Sequence, residues 1–291
     1  MPLKLMYITN HQEVAKIAER NGVDRIFVDM EYIGKAERQG KLDTVKNHHT
    51  LEDVRAVRKA VHKAELLVRV NPIHEATEDY CSSEEEIEAV VQAGADVIML
   101  PFFKTMEEIE RFYRIVNGRT KTMLLLETKE AAALLDEVLK LPELDEVHIG
   151  INDLSLSMEK KFMFELLTDG TVERLCRKME LAGVFYGFGG IASLGRGLVH
   201  AELIIKEHYR IGSHAAILSR SFCNVDNIRD LDAVEEIFFR GVREIRTLER
   251  ECASHMKYFS DNRKELGEAV AAVVAEMDEK EKQKTEQLCI F

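Results

Sequence analysis

Two carboxylates set the chemistry open to this sequence. Glu127 stands in LLLET (124–128) and Asp153 in HIGINDLSLS (148–157), each just past a short apolar run, Met123–Leu126 and Val147–Ile149. Two hard oxygen donors brought together suit Mg²⁺ or Mn²⁺ that still carries water or substrate. Taken singly, Glu127 could instead favour the dipole of a following helix, and Asp153 could cap the next one. As a pair they favour the metal reading. Arg69 closes the run LLVRVNP (66–72). Its guanidinium could bind a carboxylate or an enolate oxygen, or pair with Glu31 or Glu127 to neutralise buried charge. Asp29 and Glu31, in FVDMEY, are alternate residues and so face the same way. They could hold water around a metal or order Arg69. At Asn152–Asp153 the chain enters a turn and helix whose N–H groups could bind a carboxylate. Arg220, in ILSRSF, could meet an anionic substrate group or form an interfacial salt bridge.

These residues can converge only if the elements bearing them do. Strand-like runs fall at Leu3–Ile8, Arg25–Asp29, Glu65–Val70, Val97–Leu100, Lys121–Leu126, Val147–Ile149, Val184–Gly187 and Ala215–Leu218. Helical periodicity separates them, at His11–Arg20, Leu51–His62, Ser83–Gln92, Met106–Val116, Lys129–Leu139, Thr171–Leu181 and Ala201–Tyr209. Eight such strands predict an α/β fold, a (β/α)8 TIM barrel over residues 1–232, with a C-terminal helical extension over 233–291. Gly22, Gly94, Gly183 and Gly212 suit the left-handed position that ends a helix. In a barrel, Glu127 and Asp153 lie at the C-terminal ends of neighbouring strands, the face that carries barrel chemistry. The glycine-rich YGFGGIASLGRG (186–197) could hold phosphate there or simply allow a tight turn. Tyr32–Thr50 reads as a long loop, of the kind that is functional or mobile. ELGEAVAAVVAEM, in the tail, is too apolar for a solvated helix and should pack on the barrel or a neighbouring subunit.

With 46% hydrophobic and 32% charged residues and a net charge of -12, the 291-residue chain can build a large core and stay in solution. The acidic balance argues against nucleic acid as a partner. Five scattered cysteines without a CxxC motif suggest free thiols in a reducing cytoplasm. The N-terminal MPLKLMYITN does not read as a signal peptide, and no apolar run reaches membrane length, so no membrane association is expected.

At FVDMEY, LLVRVNP, AGADVIMLPFF, LLLETKEA and HIGINDLSLS, in that order, the chain resembles the HpcH/HpaI aldolase and citrate lyase β-subunit family. The resemblance implies a barrel enzyme that handles pyruvate-like enolates. It also implies that Glu127 and Asp153 ligate Mg²⁺, Mn²⁺ or Co²⁺, that Arg69 binds the keto or enolate oxygen, and that amides near Asn152–Asp153 hold the carboxylate of a small anionic 2-oxo acid. Association into a homo-oligomer through C-terminal helices is implied as well. The chain departs from the family pattern at Tyr32, where a His is usual, and at Leu125, where Gln is frequent. The glycine- and arginine-bearing loop between the fourth and fifth strands is missing. A phenol of pKa about 10 is a poor base at neutral pH, so His48, His49 and His74 become the candidate bases. The expected activity is that of a metal-dependent carbon–carbon lyase. A citrate-lyase-like enzyme acting on an acyl-CoA and a non-catalytic pyruvate- or oxaloacetate-binding protein are the alternatives.

Overall fold

Short strands with buried apolar centres close on themselves because every one can bury both faces: the inner in the barrel, the outer under helices. The computed structural model describes residues 1–34, 49–225, 227–228, 230–254 and 258–288. Eight parallel strands form a closed barrel in sequence order. They are β1 (Lys4–Ile8), β2 (Arg25–Asp29), β3 (Glu65–Arg69), β4 (Val97–Leu100), β5 (Lys121–Leu126), β6 (Glu146–Ile149), β7 (Phe185–Ile191) and β8 (Ala215–Leu218). The helices between them are α1 (Gln12–Arg20), α2 (Leu51–Ala60), α3 (Ser83–Gln92), α4 (Met106–Val116), α5 (Lys129–Val138), the short α6 (Ile151–Ser157) and α7 (Glu165–Thr168), α8 (Thr171–Leu181) and α9 (Ala201–Arg210). Thr50, Ser82 and Thr105 each close a reciprocal capping box with the acidic residue three positions on, which fixes where α2, α3 and α4 begin.

The fold is thus the expected (β/α)8 barrel. Strand β7 runs four residues further than expected, through Gly187, Gly189 and Gly190, because main-chain pairing with β8 survives where side-chain patterning gives no signal. Gly22, Gly94, Gly183 and Gly212 all have the left-handed φ expected of them.

Inside the barrel, Met6, Phe27, Leu67, Met99, Met123 and Leu125 make a compact apolar layer. Below it, the first residues of five strands form a charged plug. Arg25 is fully buried and clasps Glu146 through two hydrogen bonds of 2.7 and 2.8 Å. It also reaches Glu65, which accepts from Lys4 and Lys121 as well. Charge at this N-terminal mouth serves stability, whereas the opposite mouth is where barrel enzymes work.

Of the segment expected as an extension, the first helix, α10 (Leu231–Ser254), packs between α1 and α9 in the place of an eighth barrel helix. Its Phe238 meets Tyr7 edge to face at 4.8 Å, and its Glu249 accepts a hydrogen bond from the Leu3 N–H. The last helix, α11 (Phe259–Leu288), buries Asn262, Leu266 and Val270 and runs over α9 and α7, so part of the apolar tail is covered by the barrel itself. Cys81, Cys176, Cys223 and Cys252 are free thiols. Among the described residues, no helix is long and apolar enough to cross a membrane.

Candidate active site

Glu127 is the first residue past β5, and its carboxylate is held rather than solvated. It is 2% exposed, and Oε1 accepts a 2.9 Å hydrogen bond from the Phe102 N–H at the end of β4. Phe102 holds that position with a left-handed φ of 50°, unfavourable for an aromatic residue and typical of backbone strained at a functional site. On the other side, a Cβ at position 150 would stand 2.9 Å from Glu127 Oε2, so only glycine lets β6 end this close to the carboxylate. Glu127 does not cap α5. Thr128 does, accepting from the Ala131 N–H while donating to the Phe103 carbonyl. Asp153 likewise is not a cap: Gly150 holds that position, and Asp153 sits in the first turn of α6.

Arg69 is the last residue of β3, directly opposite Asp29, the last of β2. Its Nε and Nη2 donate to the two oxygens of Asp29 at 2.7 Å each, and Nη1 lies 3.3 Å from Glu31 Oε2. Burial works against the charge. Asp29 and then Glu31 outweigh it and hold the guanidinium pKa well above its ordinary value. These contacts engage three of the five guanidinium N–H groups. Arg69 also forms part of a cavity wall, with its Cζ 5.6 Å from the Phe27 ring centroid.

That cavity, about 460 Å³, opens at the C-terminal ends of the strands. Arg69, Glu127, Asn152 and Asp153 supply polar parts of its wall, and Phe162, Phe164 and Val199 are among its apolar parts. The structure also places there a residue that sequence reasoning missed. His148 on β6 is 1% exposed and lines the cavity, with no hydrogen-bond partner at either ring nitrogen. The available signal was alternation: Glu146, His148 and Gly150 share the inward face of their strand.

The other predicted residues lie elsewhere. His74 is turned away, its Nδ1 2.7 Å from the Pro72 carbonyl and its Nε2 2.9 Å from the Cys81 carbonyl, clamping its own loop. His49 Nδ1 accepts from the Asp29 N–H, and His49 lines a neighbouring cleft together with Arg220. Neither belongs to the wall of the main cavity. His48 lies outside the described residues. Burial, with Tyr80 and Glu86 nearby, raises the Tyr32 phenol pKa further, so Tyr32 cannot serve as the base.

Among the described residues, no three His, Cys, Asp or Glu side chains gather into a closed metal site. The donor set that is present, two carboxylates on one cavity wall, fits a hard divalent ion that keeps several coordination positions for water and substrate.

A parallel eight-stranded barrel with acidic and basic side chains at its C-terminal mouth has the architecture of a barrel enzyme. The chain belongs to the HpcH/HpaI aldolase/citrate lyase family, whose model matches residues 4–165. No curated protein matches the sequence. Among solved structures, the chain is similar to a HpcH/HpaI aldolase/citrate lyase family protein from Burkholderia cenocepacia, with 15% identity, a TM-score of 0.56, and coverage of 81% of this chain and 94% of that one. The HpcH/HpaI aldolase from Desulfitobacterium hafniense gives 16% identity and a TM-score of 0.56, covering 84% and 93%. Macrophomate synthase gives 15% and 0.52, covering 75% and 77%. At such identities the structural likeness establishes the fold.

Proposed function

We propose that the protein is a metal-dependent carbon–carbon lyase of the aldolase type, acting on a small anionic 2-oxo acid by way of its enolate. The observation that carries this reading is that Glu127, Asp153 and Arg69 line one cavity at the catalytic mouth of the barrel. Glu127 and Asp153 would hold Mg²⁺ or Mn²⁺, with Co²⁺ an alternative, and the ion would supply Lewis acidity toward the oxygens of the 2-oxo acid.

The protein's own groups do the rest. Arg69, fixed in place by Asp29 and Glu31, has two guanidinium N–H groups beyond those three contacts, and these serve as donors to the oxygen on which negative charge develops. Helix α6 begins at the cavity edge, and the aldolase reading calls on N–H groups of its first turn. Those at Asn152 and Asp153 suit the substrate carboxylate. Phe162, Phe164 and Val199 exclude water from the reacting end, which strengthens each of these interactions. Arg220, which lines the adjoining cleft, would meet a second anionic group at the far end of a longer substrate.

The same reading makes the protein a cytoplasmic homo-oligomer without nucleic-acid or membrane partners. Leu231 and Phe239 of α10, 44% and 46% exposed, support self-association through the C-terminal helices. The activity is tested by following pyruvate release from oxaloacetate and from 4-hydroxy-2-oxo acids with Mn²⁺ present, then with a chelator.

A further inference from the structure

His148 lines the cavity and has no part in the reading above. Burying a polar atom without a good hydrogen bond is costly, and here both nitrogens of one imidazole are buried with no partner in good hydrogen-bond geometry. Such groups are rare and call for an explanation. The neighbours in register show why the ring faces open space. On one side is Leu125, which has no hydrogen-bonding atom, and on the other is Gly187, which has no side chain at all. A polar side chain could not replace Gly187 without displacing the sheet, since a Cβ there would stand 2.4 Å from the Ala215 carbonyl oxygen. Neither neighbour in register gives the imidazole a side-chain partner, and the ring lies in the wall of the cavity that Arg69, Glu127 and Asp153 line.

Resting on the aldolase reading, we propose that His148 is a catalytic residue of this site: it binds the C4 hydroxyl of a 4-hydroxy-2-oxo acid and takes its proton as the C3–C4 bond breaks. The electron pair of that bond moves to C2 and its oxygen, giving the enolate beside Arg69. The C4 oxygen becomes the carbonyl of the released aldehyde. The imidazolium then returns its proton to C3, and the 2-oxo acid leaves, so the histidine is restored and no outside reactant is consumed. This gives the site the base that Tyr32, His49 and His74 do not supply.

The protonation state is suitable. Burial lowers the His148 pKa to about 4, a loose hydrogen bond to the Gly189 backbone opposes the shift, and the charges of Arg25 and Arg69 add to it. The ring is thus neutral at physiological pH, with one nitrogen able to accept a proton.

The test compares two reactions in one protein. Oxaloacetate decarboxylation forms the same enolate without deprotonating an alcohol, whereas retro-aldol cleavage requires that deprotonation. His148→Phe and His148→Gln are measured for both, together with thermal unfolding and pyruvate binding in the presence of Mn²⁺. General-base catalysis contributes about 10²–10⁴-fold, so the ratio of retro-aldol to decarboxylation kcat is expected to fall by roughly that factor in both variants, with pyruvate binding retained. An unchanged ratio in a folded variant overturns the assignment, as does a parallel loss of both reactions. Absence of both reactions in the wild type is a different result, and rejects the lyase reading itself.

Discussion

Arg69 and Asp29 close β3 and β2 side by side, and two parallel hydrogen bonds of 2.7 Å lock guanidinium to carboxylate. A two-point pair fixes orientation as well as distance, which one ammonium group cannot do. Arg69→Lys is therefore expected to lower kcat by about 10²–10³-fold, the usual cost of removing one donor to a developing oxyanion. Asp29→Asn should act in the same direction with Arg69 intact. Steady-state kinetics on both variants decide this, and a near-normal kcat in the Arg69→Lys variant contradicts it.

The carboxylate pair makes a prediction that needs no substrate. Mn²⁺ at about 100 times its Kd should stabilise the wild-type protein by about 2.7 kcal/mol. The rise in unfolding midpoint should vanish in Glu127→Gln and in Asp153→Asn. Equal stabilisation of the variants places the ion elsewhere.

Much of this was legible in the sequence because barrel strands announce themselves. Runs such as LLLE and IFVD are brief and largely apolar, and their last residues mark the catalytic mouth. What stayed hidden depends on pairing across the closed sheet. Asp29 and Arg69 are forty positions apart, and only the register of β2 on β3 makes them partners. A single histidine in a short apolar strand, such as His148, carries no sequence signal that sets it apart from core packing. His74 attracted attention because it is near Arg69 in sequence, yet the loop it sits in turns its ring to two carbonyls.

The charged plug at the opposite mouth is equally a matter of register, and it should dominate stability. Arg25 is fully buried against Glu146, which is nearly so. Removing one partner of a buried pair typically costs about 3–5 kcal/mol, so Arg25→Met should destabilise the fold by about that much without altering Mn²⁺ binding. Chemical denaturation measures it, and a loss well short of that range shows the pair to be dispensable.

The same plug sets an acid limit. Burial opposes ionisation of Glu65, but Lys4, Arg25 and Lys121 together pull its pKa down to about 2. A depressed carboxylate contributes stability above its unfolded pKa, near 4.5, and loses it as pH falls through that value toward 2. At about 1.4 kcal/mol per unit, the contribution is roughly 3 kcal/mol. The stability of Glu65→Gln should therefore be lower than wild type at neutral pH, with the difference shrinking below pH 4.5. A constant difference across that window means that Glu65 acts by packing alone.

Self-association should depend on the exposed face of α10. Leu231→Lys with Phe239→Glu is expected to reduce the mass seen in sedimentation while the far-UV spectrum is retained. An unchanged oligomer, or a wild-type monomer, rules this face out.

The central claim is that Glu127 and Asp153 hold the metal on which cleavage of a 2-oxo acid depends. The most direct measurement is the rate of pyruvate release from oxaloacetate and from a 4-hydroxy-2-oxo acid, with Mn²⁺ and with a chelator, in wild type and in the Glu127→Ala, Asp153→Ala double variant. The account predicts Mn²⁺-dependent release by the wild type, abolished by chelation and absent from the double variant. Full activity in the double variant, or no release by a wild-type protein that binds Mn²⁺ and pyruvate, would contradict it.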